Sequence, residues 1–315
     1  MHSKNNRKGR SRLLKLFLII LILLLVVLFA VSFWLAGFTM TGKRQTLEEA
    51  MTWQSEHYNT SFYDLLEKED YIVKGKDDYE LHVQLLKNPV PSRKYVIISH
   101  GYTDNRIGSL KYVPVYLDLG YNCVLYDLRG HGLNAPAITT YGILEAQDLL
   151  KLIEDTRSRY PLIDSLGLHG ESLGAATTLT CMKYLPAVDF AVADCGFADI
   201  ENVLRGGYKS AKMPSFLFEL TDLGARIRYR YSLRDMRPID ALNENMIPIL
   251  FLHGAEDSFI LPENSKRMYE RTKGYKEIYY LEGAEHAVSA IRQPQEYARH
   301  VSEFLKAIGQ IPKDE

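Results

Sequence analysis

No acidic residue occurs before Glu48, and the 315-residue chain contains only three cysteines. Cys123, Cys181 and Cys195 are too few and too irregularly spaced for a disulfide framework or a zinc site. Cys123 and Cys181 read as small core hydrophobes, and Cys195 has no adjacent base to mark it as a nucleophile. No internal repeat is found, and no low-complexity tract apart from one apolar run near the N-terminus, so a solenoid is excluded. The early shortage of acids hides an asymmetry. Bases number 38 against 39 acids, but eight of the bases precede Glu48, so the rest of the chain is clearly acidic. That balance argues against a nucleic-acid partner.

Charge is also missing from "LFLIILILLLVVLFAVSFWLAGFTM", residues 16–40. A helix of that length rises past the roughly 30 Å of hydrocarbon in a bilayer. It is too long for a secretory h-region of about 7–15 residues, so an uncleaved transmembrane helix is expected, with cleavage after Ala36 as the alternative. Lys4, Arg7, Lys8, Arg10, Arg12 and Lys15 precede the run, and Lys43 and Arg44 follow it. The positive-inside rule then makes residues 1–15 a basic cytoplasmic N-terminus and places the remainder outside the cell, on a single-pass anchor. Residues 41–69 read as a stalk and a short amphipathic helix that Trp53, Phe62, Leu65 and Leu66 dock onto the domain, with no visible chemistry. Asn59-Thr60-Ser61 fits a glycosylation acceptor, a match that is common by chance.

From residue 70 to 315 a single α/β domain is expected. "YIVKG" and "YELHVQLLK" read as a hairpin of half-buried strands, and "YVIISH", "YNCVLYD", "SLGLHG", "DFAVADC", "IPILFLHG" and "KEIYYLEG" as buried strands. Helical stretches at 140–160, 173–184, 262–272 and 293–307 separate most of them. Such alternation predicts a mostly parallel sheet covered on both faces, with ligands at the carboxyl ends of its strands. Residues 197–240 interrupt the pattern and read as a short helical lid with an apolar stripe through Phe216, Leu217, Leu220, Leu223 and Ile227.

"LHGESLGAA" sets Ser172 between Gly170 and Gly174, after a strand and before a helix. This is the G-x-S-x-G context of a nucleophile elbow, where a tight turn lifts the hydroxyl above the sheet. Serine needs a base, because its hydroxyl is a poor nucleophile at neutral pH. "HGAEDSFI" places Asp257 after one strand and "EGAEHAVS" places His286 after the next, giving the order Ser, Asp, His. In that scheme His286 takes the serine proton and Asp257 fixes the imidazole tautomer. The backbone N–H of Leu173 and that of Tyr102, in "HGYTDN", are the expected oxyanion donors.

The set "SHGYTDN", "YDLRGHG", "LHGESLGAA", "FLHGAEDSFI" and "EGAEHAVS" resembles the α/β-hydrolase superfamily. With its single anchor and short lid, the chain resembles the membrane-anchored, extracytoplasmic serine hydrolases of Gram-positive bacteria. The resemblance implies an eight-stranded, mostly parallel sheet and esterase-like acyl transfer to a small ester or acyl substrate, and no metal or organic cofactor. A serine peptidase on the same scaffold is the alternative, although no propeller domain or acidic pair for a free amino terminus is evident. A non-catalytic cell-surface module is the other. Oligomeric state is not encoded.

Other residues invite chemistry but have simpler readings. His100, His169 and His253 each precede glycine at a strand end and are expected to bond neighbouring loops. Asp127 and His131 are expected to hold the loop after their strand. Asp194 is the rival to Asp257 as the acid. Arg226, Arg228, Arg230, Arg234 and Arg237 in the lid read as a solvated helix face, with attraction of an anionic substrate as the alternative.

Overall fold

Eight strands pair into one sheet in the computed structural model, which describes residues 2–313, with side chains from Arg12 onward. The strands are β1 (Lys68–Lys74), β2 (Glu80–Leu86), β3 (Lys94–Ser99), β4 (Tyr121–Tyr126), β5 (Ser165–Glu171), β6 (Phe190–Asp194), β7 (Ile249–Gly254) and β8 (Lys276–Leu281). They lie in the order β1-β2-β4-β3-β5-β6-β7-β8. Pairs involving β2 are antiparallel and the others parallel. This is the sheet that the resemblance implied. β4, β5, β6 and β7 are buried along their whole length, the burial expected of strands covered on both faces.

Helices of nine or more residues are α1 (His2–Met40), α2 (Leu47–His57), α3 (Ile143–Arg159), α4 (Leu173–Cys181), α5 (Ile200–Ser210), α6 (Leu217–Tyr229), α7 (Glu263–Arg271) and α8 (Pro294–Ala307). The expected helices at 140–160, 173–184, 262–272 and 293–307 are α3, α4, α7 and α8. β3 is flanked by β4 on one side and β5 on the other, so the winding reverses there and the loops after β3 and β5 diverge to leave a crevice. Tyr102 follows β3 and Ser172 follows β5.

Two units divide the chain. The larger contains residues 41–203 and 236–315, and within it one hydrophobic core joins strand residues such as Val96, Ile98, Leu125, Val192 and Leu250 to Tyr297, Val301 and Phe304 of α8. Residues 41–69 belong to this unit and do not form a free stalk. Ala50 is part of the core, and Leu47, Met51, Tyr58, Phe62 and Leu66 pack against it. Leu65, expected to help docking, is 86% exposed. α2 begins with a full capping box: the Thr46 side chain accepts from the Glu49 N–H, and the Glu49 carboxylate accepts from the Thr46 N–H. All three cysteines are free and buried in this unit, as core hydrophobes.

The smaller unit contains residues 1–40 and 204–235, so the expected lid boundaries of 197–240 are wider than the segment that separates from the sheet domain. Residues 12–40 of α1 form a 29-residue apolar helix with mean hydropathy 3.5 over its most apolar window, long enough to cross a membrane. The charged side chains expected on the cytoplasmic side before Arg12 lie outside the described residues, as do Asp314 and Glu315. Within this unit the Ser32 hydroxyl donates to the Leu220 carbonyl at 2.6 Å.

Candidate active site

Ser172 sits where β5 turns into α4, with φ 52° and ψ −110°. That left-handed backbone is unusual for a side chain larger than glycine and costs on the order of 1–3 kcal/mol, which the packing around it must offset. The flanking glycines are required by close approach. A Cβ at 170 would lie 2.2 Å from the Gly174 carbonyl oxygen, and one at 174 would lie 2.0 Å from that of Ser99. The serine N–H donates to the Asp194 carbonyl at 2.9 Å, which ties the turn to β6.

Asp257 and His286 are brought together by the loops after β7 and β8. Ala255 N–H donates to the Leu281 carbonyl at 2.9 Å and Glu256 N–H to that of Ala284 at 3.0 Å, so the two loops run bonded to each other. His286 Nδ1 then lies 2.6 Å from Asp257 Oδ2, and its Nε2 3.0 Å from Ser172 Oγ. A carboxylate only accepts, so Nδ1 carries the proton in the neutral ring and Nε2 accepts from the serine hydroxyl.

Asp257 is buried, which disfavours its charge. Hydrogen bonds from His253 and His286, the nearby imidazole charge and the Ile260 N–H outweigh that penalty and hold its carboxyl well below the usual range. Its Oδ1 accepts from Phe259 N–H at 2.9 Å and Ile260 N–H at 2.8 Å. His253 Nε2 points at both Asp257 Oδ2, 3.2 Å away, and the Ile260 carbonyl, 2.7 Å away, while Nδ1 accepts from Ser265. His253 therefore does more than hold a loop: its Nε2–H, bonded to the Ile260 carbonyl, also lies beside the carboxylate oxygen that His286 approaches. The sequence reading missed this, although the i, i+4 spacing of His253 and Asp257 was its visible signal.

Asp194, the rival acid, does not face His286. Its Oδ2 accepts from Tyr112 at 3.0 Å and Tyr297 at 3.1 Å, and burial, followed by the charge of Glu171, pushes its carboxyl up to about 6. His100 bonds neighbouring loop backbone as expected, whereas His169 bonds two helix tyrosines. His100 Nδ1 donates to the Gly101 carbonyl and Nε2 accepts from Leu128 N–H, while His169 lies between Tyr116 and Tyr297, with burial holding it down at about 3. Asp127 accepts from the backbone of Arg106 and Leu133 and pairs with the Arg106 guanidinium at 2.5 Å, organising the loop after β4. His131 bonds the Arg129 carbonyl in the same loop.

A cavity of about 410 Å³ opens over Ser172 and His286. Gly101 and Tyr102 line it together with Ser172, so the loop expected to supply an oxyanion donor shares the cavity with that serine. Leu173 is the first residue of α4, where a helix leaves its N–H without an internal acceptor. Trp53, Phe259 and Val288 supply apolar wall, and Asp104, Lys111 and Glu171 supply charge. Lys111 was absent from the sequence reading. Its ammonium forms a buried ion pair with Glu171, immediately before the serine, and donates to the carbonyl of Ala287, immediately after the histidine, at 3.0 Å. Burial alone would lower its pKa; the carboxylates of Glu171 and Asp104 more than reverse that.

The lid arginines separate into different environments. Arg234 pairs with Glu219 at 2.7 Å and Asp222 at 3.1 Å, and Arg237 pairs with Asp240 at 2.8 Å, outside the smaller unit. Arg228 donates to the Phe33 carbonyl at 3.1 Å, and Arg226 and Arg230 are exposed.

Comparison with known proteins gives three kinds of likeness. Residues 108–310 match the model of the prolyl oligopeptidase family. The uncharacterized protein YqkD of Bacillus subtilis is 31% identical over 274 residues, covering 84% of this chain and 88% of that protein. Among solved structures, the Pyrococcus furiosus esterase Pf2001 superposes with TM-score 0.66 at 26% identity, covering 79% of this chain and 95% of the esterase. The acylaminoacyl peptidase of Pyrococcus horikoshii superposes with TM-score 0.60 at 18% identity, a likeness of fold alone that covers 79% of this chain and 43% of that one.

Proposed function

The chain belongs to the prolyl oligopeptidase family of α/β-hydrolases, and from that premise we propose that it is a membrane-tethered serine hydrolase cleaving carboxylic esters through an acyl-enzyme on Ser172. The observation that carries this reading is the unbroken hydrogen-bonded line from Asp257 through His286 to Ser172, at 2.6 and 3.0 Å. His286 removes the hydroxyl proton as Oγ attacks the ester carbonyl, and Asp257, held ionised, stabilises the imidazolium that forms. The backbone N–H groups of Leu173 and Tyr102 receive the oxyanion. Collapse breaks the bond to the alkoxide, which leaves with the proton from His286. Water, activated by the same imidazole, then releases the acid and restores the serine.

An ester is favoured over an amide by the likeness to an esterase along nearly that enzyme's whole length, whereas the peptidase is matched over less than half of its chain. The apolar helix α1 serves in this reading as the anchor, with the basic N-terminus cytoplasmic and the catalytic unit outside. Ser172→Ala should abolish both turnover of p-nitrophenyl esters and labelling by a fluorophosphonate. Label retained by that variant would refute the nucleophile assignment. A membrane-impermeant fluorophosphonate applied to whole cells should label the wild-type chain, and labelling only after lysis would refute the orientation.

A further inference from the structure

The path of the chain between α1 and the pocket points to a substrate class. Residue 41 is the first after α1, and in the larger unit the chain becomes part of the active site almost at once. The Arg44 guanidinium lies 4.4 Å over the Tyr102 ring and donates to the Thr139 hydroxyl at 2.7 Å. Gln45 N–H donates to the Thr103 carbonyl at 2.7 Å, and the Asn105 amide donates back to the carbonyls of Gln45 and Thr46 at 3.3 and 3.1 Å. Gln45, Trp53 and Gln54 are themselves pocket wall. Thr41 and Gln45 are four peptide steps apart, at most about 15 Å. The segment that begins at residue 41 is thus bonded to the oxyanion loop by its fifth residue.

The smaller unit supplies an independent observation. α6 meets α1 at Ser32, where a Cβ on Gly224 would lie 2.1 Å from the Ser32 carbonyl oxygen. The 25 apolar residues of 16–40 rise about 38 Å against roughly 30 Å of hydrocarbon, so the crossing at Ser32 falls about two-thirds of the way along the span, and residues after it run towards its C-terminal boundary. There Phe216, at the head of α6, and Leu223 and Ile227 on it are exposed at helical spacing, and Trp34 and Phe38 of α1 are exposed and stacked 5.8 Å apart. Exposed Lys209, Lys212, Arg226 and Arg230 accompany them. Aromatic and aliphatic side chains bordered by bases are the composition of a surface seated at the acyl–headgroup boundary.

We propose that the site takes fatty acyl esters resident in the bilayer that holds α1, the acyl chain staying in lipid until its carbonyl reaches Ser172. The inference rests on the serine-hydrolase reading and names its substrate. Per turnover one ester and one water give one alcohol, which leaves with the His286 proton, and one fatty acid, released from the serine.

The test uses the full chain reconstituted in phosphatidylglycerol–phosphatidylcholine vesicles, with 4-methylumbelliferyl palmitate either in the same bilayer or in separate protein-free vesicles. The same-bilayer rate should be at least tenfold higher at equal bulk ester. Aqueous p-nitrophenyl acetate and fluorophosphonate labelling report on the chemistry alone. Acetate cleaved with equal palmitate rates in the two arrangements, or with no palmitate cleaved, overturns the substrate class and leaves the hydrolase reading standing. Neither ester cleaved and no label overturns the hydrolase reading itself. Leu223→Glu should lower the same-bilayer rate at least fivefold with acetate turnover unchanged, and an unchanged palmitate rate in that variant overturns the role given to the exposed face of α6.

Discussion

Replacing Lys111 by methionine removes one charge from a buried pair and leaves the other in place. The Lys111 side chain is 4% exposed and that of Glu171 6%, so water does not compensate the orphaned carboxylate; Tyr112 remains its donor, at 2.5 Å. Breaking such a pair from one side costs about 3–5 kcal/mol, mostly the desolvation of the partner left behind. For a unit of this size that corresponds to a fall in Tm of roughly 5–20 °C. The lost contact to the Ala287 carbonyl also frees the loop carrying His286, so kcat for a soluble ester should fall further than KM changes. Lys111→Met/Glu171→Gln removes both charges and keeps an acceptor for Tyr112, and should recover at least half of the lost stability. Differential scanning calorimetry of the full chain in one detergent, on wild type, both single variants and the double, measures the coupling. A single Lys111→Met variant within about 1 kcal/mol of wild type, or a double variant no more stable than that single, would refute the assignment of the pair as a structural tie.

Other expectations follow from the carboxylates. Asp257→Asn keeps the shape and one acceptor oxygen but loses the ionised partner of His286, so kcat should fall about 10³–10⁴-fold with labelling correspondingly slow; stopped-flow ester hydrolysis measures it, and a loss under tenfold would count against the carboxylate's role. Asp194, whose folded value of about 6 exceeds an unfolded value of about 3.9, contributes stability that is present below pH about 4 and lost as pH rises through 6. Asp194→Asn abolishes that loss, so the variant should gain roughly 3 kcal/mol on wild type between pH 4 and pH 7.5. Urea midpoints at the two pH values check it, and a difference that does not move with pH would contradict the burial argument.

How much of this was legible in the sequence depends on whether local pattern carried the information. All eight strands were: those buried on both faces write a short unbroken apolar run such as "YNCVLY" or "ILFLHG", and β1 and β2 were read from the half-buried hairpin segments "YIVKG" and "YELHVQLLK". The side chains that the structure brings together, Ser172, Asp257 and His286, were legible as candidates because each lies just past a strand end, within a glycine-marked turn. Lys111 was not, because its partners Glu171 and Ala287 lie 60 and 176 residues away and nothing local distinguishes it from a surface lysine on the same 3₁₀ turn. The docked helix in residues 41–69 was legible through Phe62 and Leu66, whereas the contacts of the segment read as a stalk were not, for a related reason. The polar composition there describes the solvent face of α2, while the contacts that hold it, Ala50 in the core and Gln45 on Thr103, are long-range.

Asp194 and Asp257 show why position alone does not assign the acid. Both lie at or just past the end of a central strand, on adjacent β6 and β7, and both side chains are buried, so sequence order was the only basis for ranking them. Their surroundings separate them. Asp194 meets two tyrosine hydroxyls, has one oxygen without a partner and stands near the Glu171 charge, so its own charge is disfavoured. Asp257 has two imidazoles on one oxygen and two backbone N–H groups on the other, so its charge is favoured in spite of burial. An acid that must stabilise an imidazolium has to be ionised before the proton moves, and of the two carboxylates only Asp257 is held in that state while also touching His286. His253, beside the carboxylate and oriented by Ser265 and the Ile260 carbonyl, joins His286 and the Ile260 N–H in keeping this buried group charged.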